Sequence, residues 1–333
     1  MQQRRLGRNG PEVSALGLGC MGMSHLYGPA DDAESVATIQ AALDAGISYL
    51  DTGDFYGMGH NEMVVRRAVA GKRDQAFIAV KFGAMRDPSG AFIGYDARPI
   101  AVKNFLAYTL KRLGTDYVDL YQPARVDPAV PIEDTVGAIA DLVKAGHVRH
   151  LGLSEASAAT VKRAHAVHPV AALQIEYALT SRGIEATILP ALRELGVSVT
   201  AYGVLSRGLL SGRIRDAATL TAGDIRRHYP RFAKDNLAAN LRLVAALEAA
   251  ARDLGATPTQ LAFAWVLSRG DDIVPLIGAR RRDQLTEALA ALDLRLTRDD
   301  LRRIEAAVPA DAVAGGRYAP AAMAQLDSER PVG

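Results

Sequence analysis

Apolar runs of five or six residues punctuate this chain, and between them apolar side chains return at every third or fourth position. The runs at 15–20, 48–52, 76–81, 117–122, 149–153, 171–175, 198–202 and 273–277 read as strands. The intervening stretches 33–45, 61–70, 99–113, 132–145, 157–166, 185–195 and 282–291 read as amphipathic helices. Asp31 or Asp32 can cap the first helix and Gly46 stops it, while Asn61 is expected to cap the second. Eight strand–helix pairs predict an α/β fold, a (β/α)8 TIM barrel with its chemistry on the loops that follow the strands.

Two departures from the alternation are legible. Residues 2–14 hold the turn cluster Gly7-Arg8-Asn9-Gly10-Pro11 between short extended pieces, which predicts an N-terminal hairpin outside the repeat. After the seventh strand comes a long loop, 206–235, rich in Arg, Gly and Tyr, and then extra C-terminal helices at 237–254 and 258–269. A loop of that length in a compact chain usually binds or covers something, and its composition suits an anion or a planar ring. The arginines at 226, 227 and 231 are expected to solvate a lid. The tail, 309–333, is expected to pack over the barrel mouth or stay mobile. Residues 1–333 are therefore read as a single barrel domain.

Composition narrows the partners. Thirty-nine basic and 37 acidic side chains give a net charge of +2, with 49% hydrophobic and 23% charged residues. That balance gives no reason to expect nucleic acid or an acidic membrane, although Arg280-Arg281-Arg282 could hold one small anion. Cys20 is alone and lies in an apolar run, so it reads as a buried structural thiol in a reducing compartment. No signal-peptide pattern follows Arg4 and Arg5, and no apolar run approaches the roughly 18 residues of a membrane span, which points to the cytoplasm. His147, His150, His165 and His168 lack metal-ligand spacing, so no metal is expected, and Trp265 among Leu261, Phe263 and Leu267 reads as core.

The candidate chemistry lies where strands end. Ser48-Tyr49-Leu50-Asp51-Thr52-Gly53-Asp54-Phe55-Tyr56-Gly57 places an acid at a strand end and a phenol just beyond, and the next run ends in Lys81. A lysine held by an aspartate can acidify a neighbouring tyrosine, which starts near about 10, so that it donates a proton at neutral pH. Taken alone, Asp51 and Lys81 are equally a buried ion pair, and Tyr56 a packing residue. Gly17-Leu18-Gly19-Cys20-Met21-Gly22 matches G-x-G-x-x-G, but its glycines lie inside a strand and Met23–Pro29 follows as a loop, so the dinucleotide-fold reading fails its context. Glycines there are expected to let backbone, at Gly22 and Met23, approach something bound above the barrel.

The ordered strings L-D-T-G-D-F-Y-G-x-G-H-N-E, V-K-F-G, D-L-Y-Q-P-A-R-V-D, G-L-S-E, L-Q-I-E-Y and Y-G-V-L-S-R-G-L-L-S-G resemble the aldo-keto reductase family from about residue 4 to about 308. The resemblance implies a barrel binding NADPH or NADP across its C-terminal face and reducing an aldehyde or ketone, or oxidising the alcohol. It implies Tyr56 as general acid, Lys81 as the group that lowers its pKa, and Asp51 as the partner of that lysine. It implies Ser154 and Gln174 at the nicotinamide carboxamide and Tyr202 stacked on the ring. Gly203, Leu205, Arg207, Gly208, Leu210 and Arg213 fall at the pyrophosphate. Gly278, Arg280, helped by Arg281, Gln284 and Glu287 fall at the adenosine phosphate.

Two positions depart from the family pattern. Glu155 stands where asparagine often follows the serine, which removes one carboxamide contact. Ala124 stands where a histidine usually orients the substrate carbonyl, with Arg125 beside it as a candidate replacement donor. The loss implies a roomier pocket and a bulkier substrate or a more selective enzyme. His25, Leu26, Tyr27, Phe82, Phe92, Tyr95, Ala124 and Arg125 are candidate substrate-pocket residues. The missing histidine also motivates an alternative, an NADPH-binding regulatory or channel-associated subunit with little turnover.

Overall fold

The structure, a computed structural model, describes residues 1–330. The last three residues of the expected tail lie outside the described residues. An antiparallel hairpin, β1 (Gln3–Arg5) and β2 (Glu12–Ser14), comes first, as the turn cluster predicts. The barrel strands are β3 (Gly17–Gly19), β4 (Tyr49–Gly53) and β5 (Phe77–Phe82). A second hairpin, β6 (Ala84–Arg86) and β7 (Phe92–Tyr95), interrupts them. The barrel resumes with β8 (Val118–Pro123), β9 (Val148–Ser154), β10 (Val170–Glu176), β11 (Ser198–Tyr202) and β12 (Ile273–Ile277). These eight strands close in the order β10-β11-β12-β3-β4-β5-β8-β9, every pairing parallel. This is the (β/α)8 barrel.

The outer layer is α1 (Asp32–Asp44), α2 (His60–Ala68), α3 (Pro99–Leu113), α4 (Ile132–Lys144), α5 (Ala158–Val167) and α6 (Ile188–Leu195). It continues with α7 (Lys234–Asp253), α8 (Pro258–Leu267), α9 (Arg282–Leu289), α10 (Arg298–Ala307) and the short α11 (Pro320–Met323). Asp31 caps α1 through Glu34 N, and Gly46, at φ 87°, follows its last turn. Asn61 caps nothing. Fully buried, it accepts from Thr52 Oγ1 at 2.7 Å and donates to Cys20 O and Ser24 Oγ, tying the ends of β3 and β4 to α2. The β6–β7 hairpin and α10 were not expected, yet each has a local signal. Asp87-Pro88-Ser89-Gly90 turns the hairpin through Asp87 Oδ1, and Thr297 with Asp300 forms a capping box.

Period-two alternation sorts the strand side chains between two cores. Tyr49, Ala79, Leu120, Ala172, Val274 and Leu276 fill the barrel interior together with Leu6 and Val13 of the hairpin, which closes the lower end. A Cβ at Gly17 would meet Leu276 Cδ2 at 2.6 Å and Tyr49 Cδ1 at 2.9 Å. The first glycine of the G-x-G-x-x-G string therefore makes room for core side chains, not for phosphate. The outward side chains pack under the helices, and Trp265 of α8 is wholly buried among them with its Nε1 donating to Glu305.

Just beyond β4, Asp54 is buried beside Glu62, and its pKa is pushed up to about 8, first by burial and then by the Glu62 charge. Because the folded chain holds this proton more tightly than the unfolded one, stability falls as pH rises from about 3.8 towards 8. Asp54→Asn should stabilise the protein, its advantage in urea unfolding growing by up to about 1.4 kcal/mol per pH unit across that window. A pH-independent difference would contradict the burial of an ionisable carboxyl here.

Candidate active site

At the mouth of the barrel Lys81 Nζ donates to both oxygens of Asp51, at 2.6 and 2.7 Å, and Gln174 Nε2 donates to Asp51 Oδ1 at 2.7 Å. All three side chains are buried. Tyr56 sits over them, with Lys81 Nζ 5.1 Å from its ring centroid and Phe55 packed edge-on at 4.8 Å. The chain after Tyr56 turns back through Gly57, Met58 and Gly59, all at positive φ, which leaves the phenol only 6% exposed. An acid, an amine and a phenol from the ends of two strands thus converge.

The electrostatics differ from the expectation that Lys81 acidifies Tyr56. Burial, followed by the Asp51 charge, pushes the Tyr56 pKa well above its ordinary value, and Arg125 is the cation that opposes this. Lys81 is itself pushed down by burial, against Asp51, and further by Arg125. The physical reason is the bidentate pair: with Asp51 against it, the ammonium presents little net charge to the phenol.

Ser154 ends β9 directly beside Gln174 of β10, and its hydroxyl is buried without a hydrogen-bond partner. A buried orphan hydroxyl next to a glutamine suits an amide-bearing ring group. Tyr202 ends β11, the strand next to β10, and its hydroxyl donates to Glu155 Oε1 at 2.6 Å. Beyond it the chain curls through positive φ at Gly203, Ser206, Arg207 and Gly208, beside the half-buried Leu205.

Several expected contacts are already engaged. Arg207 donates to Glu176 at 3.0 Å and lies between the rings of Tyr229 and Tyr318, 4.2 and 4.6 Å from their centroids. Leu210 is a core residue, so its side chain does not face the mouth, and Met23 likewise points into the core. Arg213 pairs with Glu287 at 2.6 Å. Arg281 pairs with Asp283, and Arg282 with Glu34. Arg280 has no carboxylate partner among the described residues. It donates to the carbonyls of Tyr27, Gly28 and Pro29, and its backbone N–H donates to Gln284 Oε1, with Gly278 open in front of it. Gly22 lies against the Tyr27 ring.

Of the pocket candidates, Phe82 is misplaced: it is wholly buried and stacks on Tyr121 at 4.2 Å, outside the barrel interior. His25 is exposed at φ 64° and Phe92 points to solvent, while Tyr95 and Tyr27 are half-buried. Ala124 is buried, and Arg125 beside it donates to Ala124 O at 2.6 Å and to the Tyr318 hydroxyl at 3.3 Å. Arg231 solvates nothing. It is buried and bonded to Glu176, Ser206, Ser181 and the Thr180 carbonyl.

The residues that sequence reasoning missed come from the tail. Arg317 grips Glu155 at 2.6 and 2.8 Å and Glu329 at 2.6 Å, Ser328 Oγ donates to Glu155, and Asp327 accepts from Ser157 N. Tyr318 then meets the Tyr202 hydroxyl at 2.8 Å. The tail therefore packs over the mouth, and the glutamate that stands in the asparagine's place anchors it. Burial alone would raise the Glu155 carboxyl; the Arg317 hydrogen bonds and charge, with Arg125, hold it at about 2. Among the described residues no group of three or more His, Cys, Asp or Glu could hold a metal ion, and no helix is long and apolar enough to cross a membrane.

The barrel agrees with comparisons to known proteins. Residues 15–309 match the aldo/keto reductase family. A probable aldo-keto reductase of Glycine max is 42% identical over 322 residues, spanning 96% of this chain and 92% of that one. A glycerol dehydrogenase of Gluconobacter oxydans superposes with a TM-score of 0.82 at 30% identity, covering 92% of this chain and 96% of its own. An aldo-keto reductase of Bacillus halodurans, in a holo form, superposes with a TM-score of 0.76 at 28% identity, over 93% and 97% of the two chains. The chain belongs to the aldo/keto reductase family, and with it to the oxidoreductases that act on carbonyl groups.

Removing Arg317 would strand the buried Glu155 carboxylate, at about 3–5 kcal/mol. Arg317→Ala should therefore raise amide hydrogen exchange across 310–330 by orders of magnitude while β4, β5 and β10 stay protected. Unchanged protection of the tail would show that the pair does not hold it.

Proposed function

We propose that the chain reduces an aldehyde or ketone with NADPH, with Tyr56 as the proton donor. The observation that carries the reading is the Lys81–Asp51 pair, bonded to Gln174 and lying under Tyr56 beside the orphan Ser154 hydroxyl. The nicotinamide, when bound, supplies the hydride for the carbonyl carbon. Ser154 and the remaining amide oxygen of Gln174 hold the carboxamide, and Tyr202 offers the ring a flat face. Tyr56 Oη gives its proton to the carbonyl oxygen, which leaves as the alcohol, while the Lys81–Asp51 pair beneath the ring fixes where the phenol sits. A phenol whose pKa is pushed up stays protonated at neutral pH, the state in which it can donate to a carbonyl oxygen. Arg280 takes the 2′-phosphate, being the one arginine of its triplet without a carboxylate partner among the described residues.

Tyr56→Phe should lower kcat by about 10²–10⁴-fold with NADPH affinity little changed. In the wild type the rate of reduction should stay level from pH 6 to 9. A fall with an apparent pKa inside that range would mean that Lys81 does acidify the phenol, against the balance of charges described. Arg280→Ala should weaken NADPH by about 10–100-fold and NADH far less, measured by fluorescence titration, since a charge-assisted bond contributes about 1.5–3 kcal/mol. Equal losses would remove the 2′-phosphate from Arg280.

A further inference from the structure

The cations around the mouth are matched to carboxylates except at Arg280, assigned above to the 2′-phosphate, and at the half-buried Arg125. Lys81 has Asp51, Arg207 and Arg231 share Glu176, and Arg317 has Glu155 and Glu329. Arg125 has no carboxylate within ion-pair distance among the described residues; its guanidinium reaches only the Ala124 carbonyl and the Tyr318 hydroxyl. Five N–H donors with two acceptors leave most of the fork unused. Glu155 does act on it, but both Glu155 oxygens are taken by Arg317, Ser328, Tyr202 and the Glu176 amide.

The position of this cation says what its missing partner is. Arg125 follows β8, which pairs with β5, the strand of Lys81, and with β9, the strand of Ser154. Its charge reaches Tyr56 and Lys81. In the closed order of strands β8 stands opposite β12, and Arg280 follows β12. A phosphate held at Arg280 therefore lies across the barrel from Arg125 and cannot neutralise it. The nicotinamide carboxamide is uncharged. What remains is the molecule that meets Tyr56 on the β8 side.

We propose that Arg125 anchors an anionic group of the substrate, so that the carbonyl compound reduced here carries a carboxylate. This rests on the carbonyl-reductase reading above and names its substrate class. One unmatched positive charge calls for one negative charge. A dianionic phosphate would bring a second charge that has no partner here, whereas a carboxylate meets the planar guanidinium through two parallel N–H···O bonds. The Tyr318 hydroxyl, already bonded to Arg125, fixes the guanidinium from the tail side. The anchor and the proton donor then hold the two ends of one molecule, with the carbonyl oxygen at Tyr56.

The test uses a matched pair of aldehydes, 4-carboxybenzaldehyde and its neutral methyl ester, with the full-length chain and NADPH. The readout is the ratio of kcat/KM for acid over ester. The wild type should favour the acid by about 10–100-fold, Arg125→Met should abolish that preference, and Arg125→Lys should restore part of it. No preference in the wild type, or an unchanged ratio in Arg125→Met, overturns the anchor. An unchanged ratio with both rates depressed would instead make Arg125 a donor to the carbonyl oxygen. Should neither aldehyde turn over, the catalytic reading fails, and calorimetry of benzoate against the NADP-loaded protein still decides the anchor. Benzoate binding that benzamide does not match, and that Arg125→Met loses, supports it; absence of benzoate binding sinks it.

Discussion

The bidentate contact between Lys81 and Asp51 is the constraint that the mouth of this barrel is arranged around. A buried ammonium is tolerable only with a carboxylate against it and further hydrogen bonds to the leftover lone pairs, and Gln174 supplies one of these from a strand on the other side of the ring. That single contact links β4, β5 and β10, so the pair also sets how the strand ends lie relative to each other. Tyr56 rests on it, and Ser154 stands beside Gln174. The site is therefore organised from its floor upwards, and the groups that would touch a ligand are held by residues that would not.

Above this floor the charges are sorted in a second layer. Glu176 receives Arg207 and Arg231, while Glu155 receives Arg317, Ser328 and Tyr202. Two carboxylates at the ends of neighbouring elements thus fasten the long loop after β11 and the tail to the barrel. Tyr202 and Tyr318 share a hydrogen bond, so the expected platform for the ring and the wall of the pocket belong to one bonded network. Loop, tail and ring seat cannot move independently.

The barrel was legible because its strands are short apolar runs at regular intervals, and all eight lie within about two residues of where the pattern puts them. Asp51, Tyr56 and Lys81 were legible because strand ends point at the mouth. Phe82 shows where that logic needs its second half. It follows Lys81 immediately, and alternation sends it to the opposite face, where it stacks on Tyr121 under α3. Counting by two from Ala79 would have shown this. The tail was a different case. Arg317 meets Glu155 across 162 positions of chain, and nothing local in Gly315-Gly316-Arg317-Tyr318 marks it as a clamp. The Arg231 network, closed across 55 positions onto Glu176, was hidden for the same reason. The upward push on Tyr56 was not legible because it comes first from burial and then from Asp51, quantities that no spacing carries.

The hairpin at the start of the chain has a consequence for traffic. With Leu6 and Val13 packed against the side chains that fill the barrel and Gly7 N bonded to Ser198, the lower end is sealed and only the upper mouth is left for a ligand. Anything that reacts there must come and go through the opening that the tail overhangs.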